Sequence, residues 1–310
     1  MLVAMLLVAT VSAQPQPRSA QPKPQTIQYG EKGGEPLMLD HYKAEGVEGL
    51  RPCVMFVFGG AFHHGSRAHK DYLPHFEALN RAGYDVVSID YRLGLKDATS
   101  EGGMVAMIKL LMQAINFAAE DLLTATRFVL DHAAEWGIDT SKIVATGSSA
   151  GAIACLQAEN YICNGDELAQ QLDGFNYAGV VSYAGAVFST SGRPKWAAEP
   201  CPMLLFHGTS DSNVPYRKAS ALGVGLYGSE LIYKQMKRRK APCTFYSAAW
   251  RSHVMAEEPM HLNMHEVLEF LESCTRGERH LKRVDIVDLK REKQPTRFRV
   301  KDYLSSNYGV

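Results

Sequence analysis

The stretch Ile143-Val-Ala-Thr-Gly-Ser-Ser-Ala-Gly-Ala-Ile153 constrains the chain most: a short apolar run breaks on a glycine and resumes as a helix-forming segment. Within it, Gly147-Ser148-Ser149-Ala150-Gly151 fits G-x-S-x-G, the pattern of a sharp strand-to-helix turn that lifts a serine hydroxyl above a sheet. Such a turn crowds its own backbone, and glycines on both flanks relieve the crowding. It also leaves the first N–H groups of the helix unpaired, so that of Ala150 can face a developing negative oxygen. Five-residue patterns also recur in ordinary loops. Here the strand before and the helix after stand where the chemistry needs them.

A serine hydroxyl is a weak nucleophile unless a histidine accepts its proton and a carboxylate orients that histidine. On a sheet with such a turn the three follow in the order serine, acid, histidine, each just past a strand. The run Met203-Leu-Leu-Phe-His-Gly-Thr-Ser-Asp211 puts Asp211 in a loop after a strand, and Ala249-Trp-Arg-Ser-His253 puts His253 after the last one. His207 lies inside its strand and reads as core or as a support for the site. His261 and His265 share a helical spacing, but without the glutamate of H-E-x-x-H they read as an exposed face. A second source of oxyanion donors is Phe58-Gly59-Gly60-Ala61-Phe62, where the N–H groups of Gly60 and Ala61 would join that of Ala150.

The rest of the chain alternates strand and helix patterns, which calls for an α/β fold with a mostly parallel central sheet and helices on both faces. Residues 26–29 and 37–41 read as an opening hairpin, and residues 53–58 as a strand buried on both faces. Helices are expected over 70–82 and 104–136, a strand over 86–90, and a turn over 137–142 before the elbow strand. Past the elbow helix, residues 164–176 read as a polar loop. Strands are expected over 179–183, 203–206 and 244–248, and helices over 218–240 and 261–271. Met104, Met107 and Met112 fit core packing better than a flexible acyl pocket. Residues 275–310 form a basic extension, either a strand pair or a solvated tail.

At the N-terminus, an apolar run of about ten residues, Leu2 to Val11, leads to Val11-Ser12-Ala13 and resembles an export signal over residues 1–13. The run is too short to span a bilayer. Residues 14–25 read as a Pro/Gln-rich linker and 26–274 as one catalytic domain. Export would place the protein outside the cell or in a periplasm. The 33 basic and 33 acidic residues balance, which argues against a nucleic-acid or anionic-membrane partner and for a small or neutral substrate. Six cysteines without a C-x-x-C pair argue against zinc and a disulfide-dense scaffold; a Cys201–Cys243 bridge is conceivable on export, and buried thiols fit better.

The ordered set Gly59-Gly60-Ala61-Phe62, Asp90-Tyr-Arg-Leu93, Asp121, Gly147-Ser-Ser-Ala-Gly151, His207-Gly-Thr-Ser-Asp211 and His253 resembles the α/β-hydrolases. Among these it looks close to carboxylesterases related to hormone-sensitive lipase and to bacterial feruloyl and acetyl-xylan esterases. The likeness covers residues 27–274. Phe58 stands where that family carries a histidine, and Ala61 where it carries a third glycine. The resemblance implies acylation of Ser149, orientation of His253 by Asp211, release of the acid by water, and no metal or organic cofactor. It also implies structural roles for Asp90 and Asp121. The expected activity is serine ester hydrolysis on small esters, with acetyl or feruloyl esters of plant polysaccharide as candidates. A prolyl-oligopeptidase-like peptidase and a non-catalytic binding protein on the same fold are the alternatives.

Overall fold

The computed structural model describes residues 23–98, 103–288, 290, 292–296 and 298. The expected export signal, and all of the linker before Lys23, lie outside the described residues. Strands β1 (Gln25–Lys32) and β2 (Glu35–Tyr42) form the expected antiparallel hairpin across the Gly33-Gly34 turn. The next strand, β3 (Arg51–Val57), is buried almost throughout, as its unbroken apolar run requires of a strand covered on both faces.

From β3 the chain passes through helix α1 (Leu73–Arg81) to β4 (Asp85–Ile89), then through α2 (Gly103–Trp136) to β5 (Ile138–Ser148). The elbow leads into α3 (Ala150–Asn164), and β6 (Gly179–Tyr183) follows. After a short strand β7 (Ala186–Ser189) comes β8 (Met203–Gly208). A hairpin, β9 (Lys218–Ala221) and β10 (Val224–Gly228), then precedes α4 (Ser229–Arg239) and β11 (Cys243–Ala248). Helices α5 (Pro259–Leu262) and α6 (Met264–Thr275) lead to β12 (Leu281–Ile286).

Nine of these strands form one sheet in the order β1-β2-β4-β3-β5-β6-β8-β11-β12, and every neighbouring pair from β4 onward is parallel. The step β3–α1–β4 runs one way along the sheet and β5–α3–β6 the other. Right-handed crossovers therefore place α1 and α3 on opposite faces, with α6 packed against α1 and α2 against α3. The order reverses between β3 and β5, and a crevice opens there at the carboxyl ends of the strands. Ser149 follows β5 and Gly59-Gly60 follows β3, so the two candidate features flank that crevice.

Several elements differ from the sequence-based expectations. The segment 137–142 is not only a turn: Arg51 donates from its backbone N–H to the carbonyl of Gly137 (2.8 Å), which draws Ile138 into the sheet. The Asp139 carboxylate accepts from the Ser141 N–H at 3.0 Å, so turn chemistry survives inside a bulged strand. Residues 218–228 are a hairpin rather than the first half of a helix, and with β7 they make a separate sheet in the order β7-β10-β9. The polar loop 164–176 holds a short 3₁₀ turn over Glu167–Leu172. The helix expected over 261–271 is split at Asn263, so the exposed His261 and His265 sit on different helices. The basic extension opens by adding β12, parallel to β11, to the main sheet. All six cysteines are buried and free, and Met112 packs against the core. Among the described residues no helix is long and apolar enough to cross a membrane.

Candidate active site

The elbow is built by close approach. Ser149 sits between β5 and α3 with φ 51° and ψ −113°, a conformation that costs a non-glycine residue on the order of 1–3 kcal/mol. Packing on both sides holds it there. A Cβ on Gly147 would lie 2.4 Å from the carbonyl carbon of Gly151, and one on Gly151 would lie 2.0 Å from the carbonyl oxygen of Val57. Helix α3 thus runs against β3 and β5 so closely that only hydrogen fits. The Ser149 N–H donates to the Tyr183 carbonyl (2.8 Å), tying the turn to the end of β6.

Three side chains separated by up to 104 residues in sequence meet above this turn. Ser149 Oγ is 2.7 Å from His253 Nε2, and His253 Nδ1 is 2.8 Å from Asp211 Oδ2. A carboxylate can only accept, so Nδ1 carries the ring proton and Nε2 is left to accept from the serine hydroxyl. The loops that bear Asp211 and His253 are fastened together. The Thr209 N–H donates to the Ala248 carbonyl (2.9 Å), the Ser210 N–H to the Arg251 carbonyl (2.9 Å), and the Trp250 N–H to Thr209 Oγ1 (2.8 Å).

Asp211 is buried, and its carboxyl is surrounded by donors. Oδ1 accepts from the N–H groups of Asn213 (2.8 Å) and Val214 (2.9 Å). Burial alone would raise its pKa. The charge of His253 and the hydrogen bonds from His207 and His253 outweigh burial and hold the carboxyl well below the usual carboxylate range. His207, fully buried in β8, supports it from below. Its Nε2 lies 3.1 Å from the Val214 carbonyl and 3.4 Å from Asp211 Oδ2, both acceptors, while Nδ1 is 2.8 Å from Ser229 Oγ. The proton therefore sits on Nε2 and is shared between the acid and the loop that carries it.

The donor loop after β3 turns back sharply, with Gly60, Ala61 and Phe62 all at positive φ and the N–H groups of His63 (2.9 Å) and His64 (3.1 Å) bonded to the Gly60 carbonyl. Phe58 stacks on Tyr91 at 4.4 Å between ring centres, and the Tyr91 hydroxyl donates to the Phe58 carbonyl (3.1 Å). Among the described residues the N–H groups of Gly60, Ala61 and Ala150 have no internal acceptor. Ala61 and Ala150 border one pocket together with Ser149. Asp90 and Asp121, read from the sequence as structural, anchor arginines. Asp90 binds Arg67, whose carbonyl accepts from Ser88 Oγ (2.9 Å), and the buried Asp121 accepts from the Arg92 N–H (2.7 Å) and guanidinium.

Tyr72, Asn213 and Leu226 border the site and were not anticipated. The Tyr72 hydroxyl accepts from the Gly59 N–H (3.2 Å) and lies just ahead of α1, whose true start is signalled by Pro74. Leu226 was hidden inside an apparent helix. Gly223, Gly225 and Gly228 within six residues are the cue that a hairpin stands there instead. Met107 and Met112 line neither of the two cavities that Ser149 borders.

Residues 39–181 match the family model BD-FAE, a span from β2 to β6 that contains the donor loop and the elbow and ends before Asp211 and His253. Esterase 2 of Thermogutta terrifontis superposes with a TM-score of 0.60 over 83% of this chain and 94% of that one, at 22% sequence identity. This chain has the α/β-hydrolase fold. The chain is 24% identical over 280 residues to a probable isoprenylcysteine alpha-carbonyl methylesterase of Arabidopsis thaliana, covering 77% of this chain and 53% of that protein. It is also 31% identical over 125 residues to gut esterase 1 of Caenorhabditis briggsae, covering 40% of this chain and 21% of that protein. The fumonisin B1 esterase of Sphingopyxis macrogoltabida is 32% identical over 119 residues, 36% of this chain and 20% of that protein. The chain spans about half or less of the length of each of these curated relatives.

Proposed function

We propose that this hydrolase cleaves small carboxylic esters through Ser149, His253 and Asp211. The observation that carries the reading is the unbroken hydrogen-bonded chain from Ser149 Oγ through the His253 ring to a buried carboxylate. Esterases among its relatives support the same class of reaction.

In this reading Ser149 Oγ attacks the ester carbonyl carbon while its proton passes to His253 Nε2. The carbonyl electrons move to the oxygen, where the N–H groups of Ala150, Gly60 and Ala61 stabilise the anion. Each such donor is worth ~2.7–4 kcal/mol in the transition state. The positive end of the 15-residue helix α3 adds to that field. Collapse expels the alcohol oxygen, which takes the proton from Nε2. Water then gives a proton to Nε2, attacks the acyl carbon and frees Ser149 together with the acid. Asp211 stays ionised and offsets the imidazolium charge in both halves. The apolar stretch Leu2 to Val11 and the small residues after it support an extracytoplasmic site of action.

The test is hydrolysis of p-nitrophenyl acetate by the wild type and by Ser149→Ala. The expected outcome is saturable turnover that falls roughly 10⁴-fold or more in the variant while its thermal midpoint stays close to that of the wild type. Comparable turnover in both proteins would remove Ser149 from the mechanism.

A further inference from the structure

Ser149 stands between two cavities of very different size. The larger, about 510 Å³, is open and is bordered by His253, Tyr72, His69, Asp71 and Glu257. The smaller, about 20 Å³, has four apolar walls, Phe62, Ile153, Val214 and Leu226, and Asn213 borders both cavities. The reaction itself assigns them. The departing alcohol oxygen takes its proton from His253 Nε2, so the alcohol must leave on the side where the imidazole opens. His253 borders the large cavity and not the small one. The acyl substituent, on the far side of the tetrahedral carbon, then points over Ala61 and Ala150 into the small pocket.

We infer that the small pocket restricts the acyl group to acetyl, and that Leu226 is the residue that sets this limit. The inference rests on the ester-hydrolase reading. A pocket of about 20 Å³ holds little more than one water-sized or methyl-sized group. An acetyl methyl fits; a longer chain or a feruloyl ring must displace a wall.

Three of the four walls are bound into the catalytic frame. The Val214 N–H donates to Asp211 Oδ1 (2.9 Å) and its carbonyl faces His207 Nε2 (3.1 Å), so moving it disturbs the acid. The Ile153 N–H donates to the Ser149 carbonyl (2.9 Å), and the Phe62 carbonyl accepts from the Leu95 N–H (3.0 Å). Leu226 alone comes from the separate three-stranded sheet. It is the buried centre of β10, paired with Phe188 of β7 on one side and Ala219 of β9 on the other. Its side chain can be shortened without touching a hydrogen bond of Ser149, His253 or Asp211.

The experiment compares kcat/KM for p-nitrophenyl acetate, propanoate, butanoate and hexanoate in wild type, Leu226→Ala and Leu226→Val. One leaving group throughout isolates the acyl side. The wild type is expected to fall at least ten-fold from acetate to butanoate. In Leu226→Ala the butanoate-to-acetate ratio is expected to rise ten-fold or more, and Leu226→Val, which introduces a β-branched residue suited to a strand, is expected to give a smaller shift in the same direction. A wild type that hydrolyses butanoate or hexanoate as readily as acetate overturns the inference. So does an unchanged ratio in the folded variants, and both results leave ester hydrolysis intact. Failure of the wild type on all four esters, with no labelling of Ser149 by a fluorophosphonate, would instead overturn the underlying reading.

Discussion

Asp211→Asn probes the hydrogen-bond logic of the site most sharply, because the structure dictates how the new amide must sit. Oδ1 receives two backbone N–H groups, from Asn213 at 2.8 Å and Val214 at 2.9 Å, so only the amide oxygen can occupy that position. The NH₂ group must then take the place of Oδ2, 2.8 Å from His253 Nδ1. Facing a donor, Nδ1 becomes an acceptor and the ring proton moves to Nε2. Nε2, 2.7 Å from Ser149 Oγ, can no longer receive the serine proton. A wrong tautomer held in correct geometry costs ~10⁴-fold in kcat, or about 5.4 kcal/mol of transition-state stabilisation. The assay is steady-state hydrolysis of p-nitrophenyl acetate together with the rate of fluorophosphonate labelling, with near-ultraviolet circular dichroism as the control for intact packing. Both rates are expected to fall together. A variant within ten-fold of wild type on both would refute the assignment of Asp211 as the orienting acid.

Two further predictions concern the scaffold. Gly151→Ala forces a Cβ to within 2.0 Å of the Val57 carbonyl oxygen, so α3 must move off β3; the thermal midpoint should drop by the equivalent of about 3 kcal/mol or more, and acetate hydrolysis should be lost with it. An unchanged midpoint would contradict the close approach. His75, buried between Phe56 and Tyr183, has its pKa pushed down by burial from 6.5 to about 4. The unfolded chain therefore takes up this proton first, and the stability that neutral His75 supplies is fully present above pH 6.5 and lost as pH falls through about 4. That loss amounts to about 3 kcal/mol. Urea titrations of wild type and His75→Leu across that window should show a shallower acid slope in the variant, and parallel slopes would contradict it.

The elbow and the placement of Asp211 and His253 past their strands were legible because each rests on local chemistry: a G-x-S-x-G turn, and a polar side chain directly past an apolar run. The buried β3 was legible for the same reason. What escaped depends on contacts distant in sequence. Lys218, Ser220 and Tyr227 carry no strand alternation strong enough to outweigh the helix formers after them. They become strands because β10 finds β7, some forty residues earlier in the chain. The half-exposed β12 alternates weakly, and pairing with β11 makes it a strand. Ile138 enters the sheet through a backbone bond from Arg51. The size of the small pocket beside Ser149 was illegible because its apolar walls come from the loop after β3, α3, the loop after β8 and β10. His207 was identified as core or support, and the tautomer that makes it a donor beside Asp211 emerged only with Val214 and Ser229 in place.

The central claim is that one serine becomes the covalent nucleophile. Intact-mass spectrometry after treatment with a fluorophosphonate, followed by peptide mapping, measures this directly. One adduct per chain is expected, located on Ser149 and absent from Ser149→Ala. An adduct on another residue, or none on protein that still hydrolyses acetate, would contradict it.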